Sequence, residues 1–226
     1  VTAAADALAA LYPDDDGADG GDGADALLAS VRRKADDHLA VVRAFIDGEA
    51  AGLLRAAGLI ADAYARGGQV LTMGNGGSSC DAAHLAVEFV HPVTTGRPAL
   101  PAVDLGADTA MLTAVGNDVG FDHVFVRQVL ARGRPGDALV GFSTSGNSAN
   151  LLAAFDTARR RGIVTIGFTG GDGGAMARAV DVCLVVPTRS IHRVQEVHLL
   201  AYHILWDLVH TRLAGRRPAP PQEATP

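Results

Sequence analysis

The sequence predicts an α/β fold: a doubly wound, five-stranded parallel sheet of flavodoxin-like order, helices on both faces, and an N-terminal helical extension. Three observations predict it. Five apolar runs of strand length, at 69–73, 101–105, 137–142, 163–168 and 182–186, are bounded by turn-forming residues. Amphipathic stretches near 79–91, 108–132, 148–161 and 174–179 separate them, and strand alternating with helix builds a parallel sheet covered on both faces. The length of 226 residues, 48% of them hydrophobic, suits one such domain with a sizeable core.

In chain order, residues 1–25 read as an acidic flexible tail. Residues 1–30 hold seven Asp and no Lys or Arg, so the net charge of -6 belongs to this end and the remainder is nearly neutral. The run DDDGADGGDGAD alternates Asp and Gly as calcium loops do, but the spacing is wrong and the twelfth position has no Glu, so it reads as a linker. Leu27, Leu28, Val31, Leu39, Val42 and Ile46 predict a helix over 26–47. Leu53, Leu54, Leu59, Ile60 and Tyr64 predict a second, stopped by Gly67 and Gly68. The strand and helix alternation follows, and a long helix from about Ile191 to Leu213 closes a single domain over 26–213. Residues 214–226 carry four Pro and read as a second flexible tail.

Composition excludes several classes. No apolar run reaches the ~18 residues of a membrane span. A neutral body offers no electrostatic footprint for nucleic acid. Cys80 and Cys183 give neither a disulfide framework nor a C-x-x-C pair, and the default expectation is a reducing cytoplasm.

Ligands of such sheets sit beyond the carboxyl ends of the strands, and two of those ends stand out. Gly74, Asn75, Gly76, Gly77, Ser78 and Ser79 follow the first strand. The glycines let the backbone curl its N–H groups toward an anion, although a tight strand-to-helix turn needs the same residues. The loop completes neither a dinucleotide fingerprint nor a Walker motif. Ser143, Thr144, Ser145, Gly146, Asn147 and Ser148 follow the third strand. One hydroxyl suffices to cap a helix, so four at a helix start point to a phosphate monoester held by neutral donors.

His84 and Glu88, four apart, share one face of the helix after the first loop. They fit an acid–base pair, half a metal site, or an ordinary helix pair. The last helix carries Gln195, Glu196, His198 and His203 in an otherwise apolar run, with Gln195 and His203 two turns apart and His203 expected to be buried. Asn117 and Asp118 suit a helix cap or a sugar hydroxyl equally.

These blocks occur in one order: Gly74 to Ser78, then Asp81, His84 and Glu88, then Gly116, Asn117 and Asp118, then Ser143 to Ser148, then Gly170 to Gly174, then Arg193, Gln195, Glu196, His198 and His203. Together they resemble the sugar isomerase (SIS) domain family, and within it the phosphoheptose isomerases. The resemblance implies aldose–ketose isomerisation of sedoheptulose 7-phosphate to a heptose 7-phosphate, at the head of nucleotide-heptose synthesis. It implies a cytoplasmic homotetramer with active sites at subunit interfaces. Carried over by position, Ser143, Thr144, Ser145 and Ser148 hold the phosphate. Asn75, Gly76, Gly77, Ser78, Asn117, Asp118 and Gln195 contact the sugar chain, together with Glu88. His84, Glu88, Gln195 and His203 match a zinc site seen in some members, one ion per subunit, and Glu88 and His203 are the catalytic pair.

Two positions depart from the family's pattern. Pro92 stands where an Arg is expected one turn after the Glu, with Arg97 the nearest replacement, and His192 stands where an Asp is expected. Both bear on the sugar more than on the reaction, so another phosphosugar is an alternative substrate. Non-catalytic members, including regulators that bind the DnaA initiator, keep the fold but lose the Glu or the last-helix His. Both residues stand here, which favours an enzyme over a phosphosugar-sensing or DnaA-binding regulator.

Overall fold

The five apolar runs pair into one parallel sheet in a computed structural model of the chain, which describes residues 23–215. The strands are β1 (Val70–Gly74), β2 (Ala102–Asp104), β3 (Ala138–Ser143), β4 (Val164–Gly170) and β5 (Val182–Val186), in the order β2-β1-β3-β4-β5. This is the predicted flavodoxin-like order. Every residue of β1 and β3 is buried, as expected of parallel strands covered on both faces. The register sets Leu71 against Leu139, Val140 against Ile166 and Phe168 against Leu184.

The helices are α1 (Ala24–Ala65), α2 (Gly77–Val90), α3 (Thr109–Asp118), α4 (Val126–Arg132), α5 (Ala149–Arg160), α6 (Met176–Ala179) and α7 (Ile191–Ala214), with a 3₁₀ turn at Phe121–His123. Two hydrophobic clusters flank the sheet. One joins Phe45 and Ile60 of α1, Leu85 and Phe89 of α2, and Val197, Tyr202 and Leu205 of α7 to Phe142 and Phe168, whose rings stack 4.7 Å apart. The other packs Val129 of α4 and Leu151 and Phe155 of α5 on Leu71, Met73 and Leu139.

Chain contacts divide the protein into two units, Val1–Ala40 and Val41–Pro226. In the first, the described residues after Gly23 are helical, and Leu27, Leu28, Val31 and Leu39 are exposed. The second holds the sheet and both clusters. The expected linker and both expected tails fall largely outside the described residues, and α1 begins at Ala24, inside the span read as tail.

The sequence was expected to form two opening helices, but 24–65 is one helix of 42 residues. Gly48 and Gly52 suggest a break, since an interior Gly costs a helix about 0.5–1 kcal/mol relative to Ala. Tertiary packing outweighs that cost. A Cβ on Gly52 would lie 2.9 Å from Leu184 Cδ2, so the glycine lets α1 approach β5 closely. From the next turn, Glu49 accepts a hydrogen bond from the Val185 N–H (3.2 Å), which gives this edge strand a partner. The stretch 108–132 is also split, into α3, the 3₁₀ turn and α4, because Gly120 at φ 104° turns the chain.

Candidate active site

Strand order reverses between β1 and β3, so the loops after these strands open at the topological switch point. Several contacts join the loops into one continuous rim. The Asn75 and Asn150 amides exchange two hydrogen bonds of 2.9 Å, linking the loop after β1 to the start of α5. The Gln195 side chain lies against Gly77, since a Cβ built there would be 3.1 Å from Gln195 Cδ. The Gly170 N–H donates to the Thr144 carbonyl (3.1 Å), and the Ala175 N–H to Asn147 Oδ1 (2.9 Å).

The Ser-rich loop is built as a cradle. Ser143 and Ser148 hydroxyls lie 2.9 Å apart. Ser145 Oγ accepts from the Asn147 N–H at 3.2 Å, and Ser148 begins α5 without a side-chain cap of its own. Its hydroxyl is therefore not committed to capping. Gly146 sits at φ 66° with Gly173's carbonyl where a Cβ would be, so no L side chain fits this turn. In the first loop Ser78 is buried and Ser79 Oγ donates to the Gly76 carbonyl (2.6 Å).

α2 and α7 bring the ionisable residues together. The His84 Nε2 is 3.2 Å from Glu88 Oε1, as the four-residue spacing predicts. The His84 and His203 rings meet edge to face, with centroids 5.1 Å apart. One nitrogen or oxygen from each of His84, Glu88 and His203 lies within 4.8 Å of the others, a cluster able to hold a metal ion. His203 is half-buried rather than buried as expected. A ligand-bearing face needs that opening.

The other expected residues have partners of their own. Asn117 and Asp118 end α3, exposed and hydrogen-bonded to each other at 2.8 Å, and neither caps the next turn. Glu196 pairs with Arg193. His198 is core: fully buried, 3.4 Å from the Thr169 carbonyl and packed against both Phe142 and Phe168, its pKa pushed down to about 4 by burial. Arg97 does fold back, but onto α7, where it pairs with Asp207 and lies 4.3 Å over the Trp206 ring. Trp206 in turn donates to the Glu88 carbonyl (2.8 Å).

A family model described as "SIS domain" matches residues 35–170. The chain belongs to the SIS domain family. Within it the chain groups with the phosphoheptose isomerases. It is 45% identical to a phosphoheptose isomerase of Roseiflexus sp., over 76% of this chain and 88% of that one. It is 48% identical to one of Desulfovibrio desulfuricans, over 81% and 88%. The solved phosphoheptose isomerase of Neisseria gonorrhoeae superposes with a TM-score of 0.77 at 40% identity, covering 82% of this chain and 99% of that one.

Three residues that this SIS domain places at the site were not singled out for a role in it. Tyr202 holds its hydroxyl 2.7 Å from His84 Nδ1. Asn150 is 2% exposed and orients Asn75. Asp81 keeps Oδ2 buried without a hydrogen-bond partner among the described residues, and burial pushes its carboxyl up to about 6 against the pull of His84. Only Asp81 lay inside a motif block. Tyr202 reads as one more apolar residue of α7, and Asn150 as a helix-start residue.

Proposed function

We propose that this chain is an aldose–ketose isomerase that converts sedoheptulose 7-phosphate to D-glycero-D-manno-heptose 7-phosphate through an enediol, the first step of nucleotide-heptose biosynthesis. The observation that carries this reading is the meeting of Glu88 and His203, from separate helices, in one cluster with His84, in a chain whose Ser cradle stands at the carboxyl end of β3. Membership of the phosphoheptose isomerase group supports it.

The reaction moves a proton between C1 and C2 and a second between their oxygens. Glu88 is the group that takes and returns the carbon-bound proton. His203 handles the proton at oxygen. Each such group contributes about 10²-fold or more. Ser143, Thr144, Ser145 and Ser148, with the N-terminus of α5, hold the phosphate at the far end of the substrate. Asn75, Gly76, Gly77, Ser78 and Gln195 line the chain between, with Asn117 and Asp118 reaching its distal hydroxyls. Anchoring the phosphate fixes C1 and C2 near Glu88 and removes much of the entropy of reaching the reactive geometry.

The donor set suits zinc. Two imidazoles and a carboxylate converge within 4.8 Å, and Gln195 would supply the fourth ligand. When bound, the ion would supply Lewis-acid polarisation of the substrate's oxygens. A carboxylate has two oxygens, so Glu88 can lend one to an ion and keep the other for the proton.

The working protein is taken to be a cytoplasmic homotetramer of single SIS domains over 26–213, with sites at subunit interfaces, flanked by tails and binding no nucleic acid. Among the described residues no helix is long and apolar enough to cross a membrane.

Glu88→Gln and His203→Gln test the assignment. Each is expected to lower turnover of sedoheptulose 7-phosphate at least 10²-fold while the protein stays folded. Full turnover in either would remove that residue from the mechanism. A folded wild type that binds the sugar phosphate without converting it would make the chain a sensor.

A further inference from the structure

An imidazole that ligates an ion through one nitrogen must present a lone pair there, and the partner of its other nitrogen decides whether it does. For His84 both partners are visible. Nε2 faces Glu88 Oε1 at 3.2 Å, and Nδ1 faces the Tyr202 hydroxyl at 2.7 Å. Tyr202 is 1% exposed and held by its neighbours, with ring centroids 5.5 Å from His84, 4.8 Å from His203 and 5.8 Å from Phe142. Its oxygen therefore has little freedom to leave Nδ1. His84 is less confined, with 41% of its side chain exposed. The fixed partner orients the mobile one.

A phenol both donates and accepts, which a carbonyl or carboxylate in this place would not. With Nε2–H donating to Glu88, Tyr202 donates its own hydrogen to Nδ1. With the proton on Nδ1, the same oxygen accepts it, and Nε2 is left with a lone pair. An ordinary phenol is neutral below about pH 10, so Tyr202 keeps its hydrogen for the first arrangement.

We propose that Tyr202 is a positioning residue for metal binding: its hydroxyl holds the His84 ring at Nδ1 and, by switching from donor to acceptor, lets His84 change tautomer so that Nε2 becomes a ligand. The inference rests on the metal reading above and extends it beyond the four side chains assigned there.

The test uses the full chain, wild type and Tyr202→Phe, with zinc affinity measured by competition against a chromogenic chelator. Thermal melting checks that the variant is folded. Loss of such a partner typically weakens metal binding about 10–100-fold, and that weakening is expected here. Turnover of the variant should recover as zinc is raised, whereas a merely structural defect would not respond to the ion. On the wild type, ¹⁵N NMR of the histidine rings should show the His84 proton on Nε2 without zinc and on Nδ1 with it. Zinc affinity unchanged in folded Tyr202→Phe would overturn the inference and leave the metal site standing. A His84 tautomer that does not change on zinc binding would overturn the switch even if the phenylalanine variant were unstable. A wild type that binds no zinc would overturn the metal reading itself, and this inference with it.

Discussion

Gly77→Ala should separate stability from activity. Gly77 is the first residue of α2 and lacks the positive φ that would bar a side chain. Ala in place of Gly within a helix gains up to about 0.5–1 kcal/mol. For a chain of this size that raises Tm by no more than about 2–4 °C. The three atoms nearest the new methyl group would all belong to the Gln195 side chain, with Cδ at 3.1 Å and Nε2 inside 3 Å. Ordinary contact is 3.4–4 Å, so the amide end of Gln195 must retreat. It is the far end of a flexible, half-buried side chain, so it moves and the backbone stays. A displacement of about 1 Å at a reacting centre can cost on the order of 10²-fold. The expected result is an unchanged or raised Tm with kcat/KM on sedoheptulose 7-phosphate lowered about 10–100-fold, read from melting curves and a discontinuous aldose assay. Undiminished turnover would show that the position of Gln195 does not matter. A clear loss of Tm would show that the methyl group strikes something other than that side chain.

Three further outcomes are expected. His198 binds a proton in the unfolded chain below about 6.5 but in the folded chain only below about 4, so stability falls as pH drops through that window. The loss from this residue between pH 7 and 5 is about 2 kcal/mol, and denaturant melts of His198→Leu at both values should lack it. Asp137, 2% exposed, accepts from the Gln69 and Arg134 N–H groups at 3.0 and 2.9 Å. Asp137→Ala strands both and should cost about 3 kcal/mol in urea melts, with KM unchanged in the protein that remains folded. Asn150→Ala leaves the Asn75 amide without its partner and should raise KM and lower kcat together, because the loop after β1 loses its tie to α5.

The sheet was legible because parallel strands buried on both faces are written as uninterrupted apolar runs, and each run found in the sequence lies within a residue or two of a strand. The last helix was legible for a related reason, since Ile191–Ala214 carries its apolar period through to a glycine at the end. The single helix Ala24–Ala65 was not. Gly52 breaks a helix by local propensity, and the close approach to Leu184 that calls for a glycine there is far away in sequence. At the site, spacing alone placed His84 on Glu88, while order along the chain brought in His203 and the Ser loop. Tyr202 escaped notice because its ring packs as core and only its oxygen reaches His84. His198 illustrates the converse: residue type marked it as chemistry, and its burial against two Phe rings made it structure. Asn117 and Asp118 keep their place in the motif order, but their bond to each other is a local one that no spacing argument anticipates.

The central claim is that this chain isomerises a phosphosugar through an enediol. The most direct measurement incubates the wild type with sedoheptulose 7-phosphate in D₂O and follows the anomeric region by ¹H NMR. The account predicts new aldose signals that grow with enzyme concentration, with deuterium at C2 of the product and none of either with Glu88→Gln. Absence of any aldose from a folded wild type saturated with the sugar phosphate would contradict it.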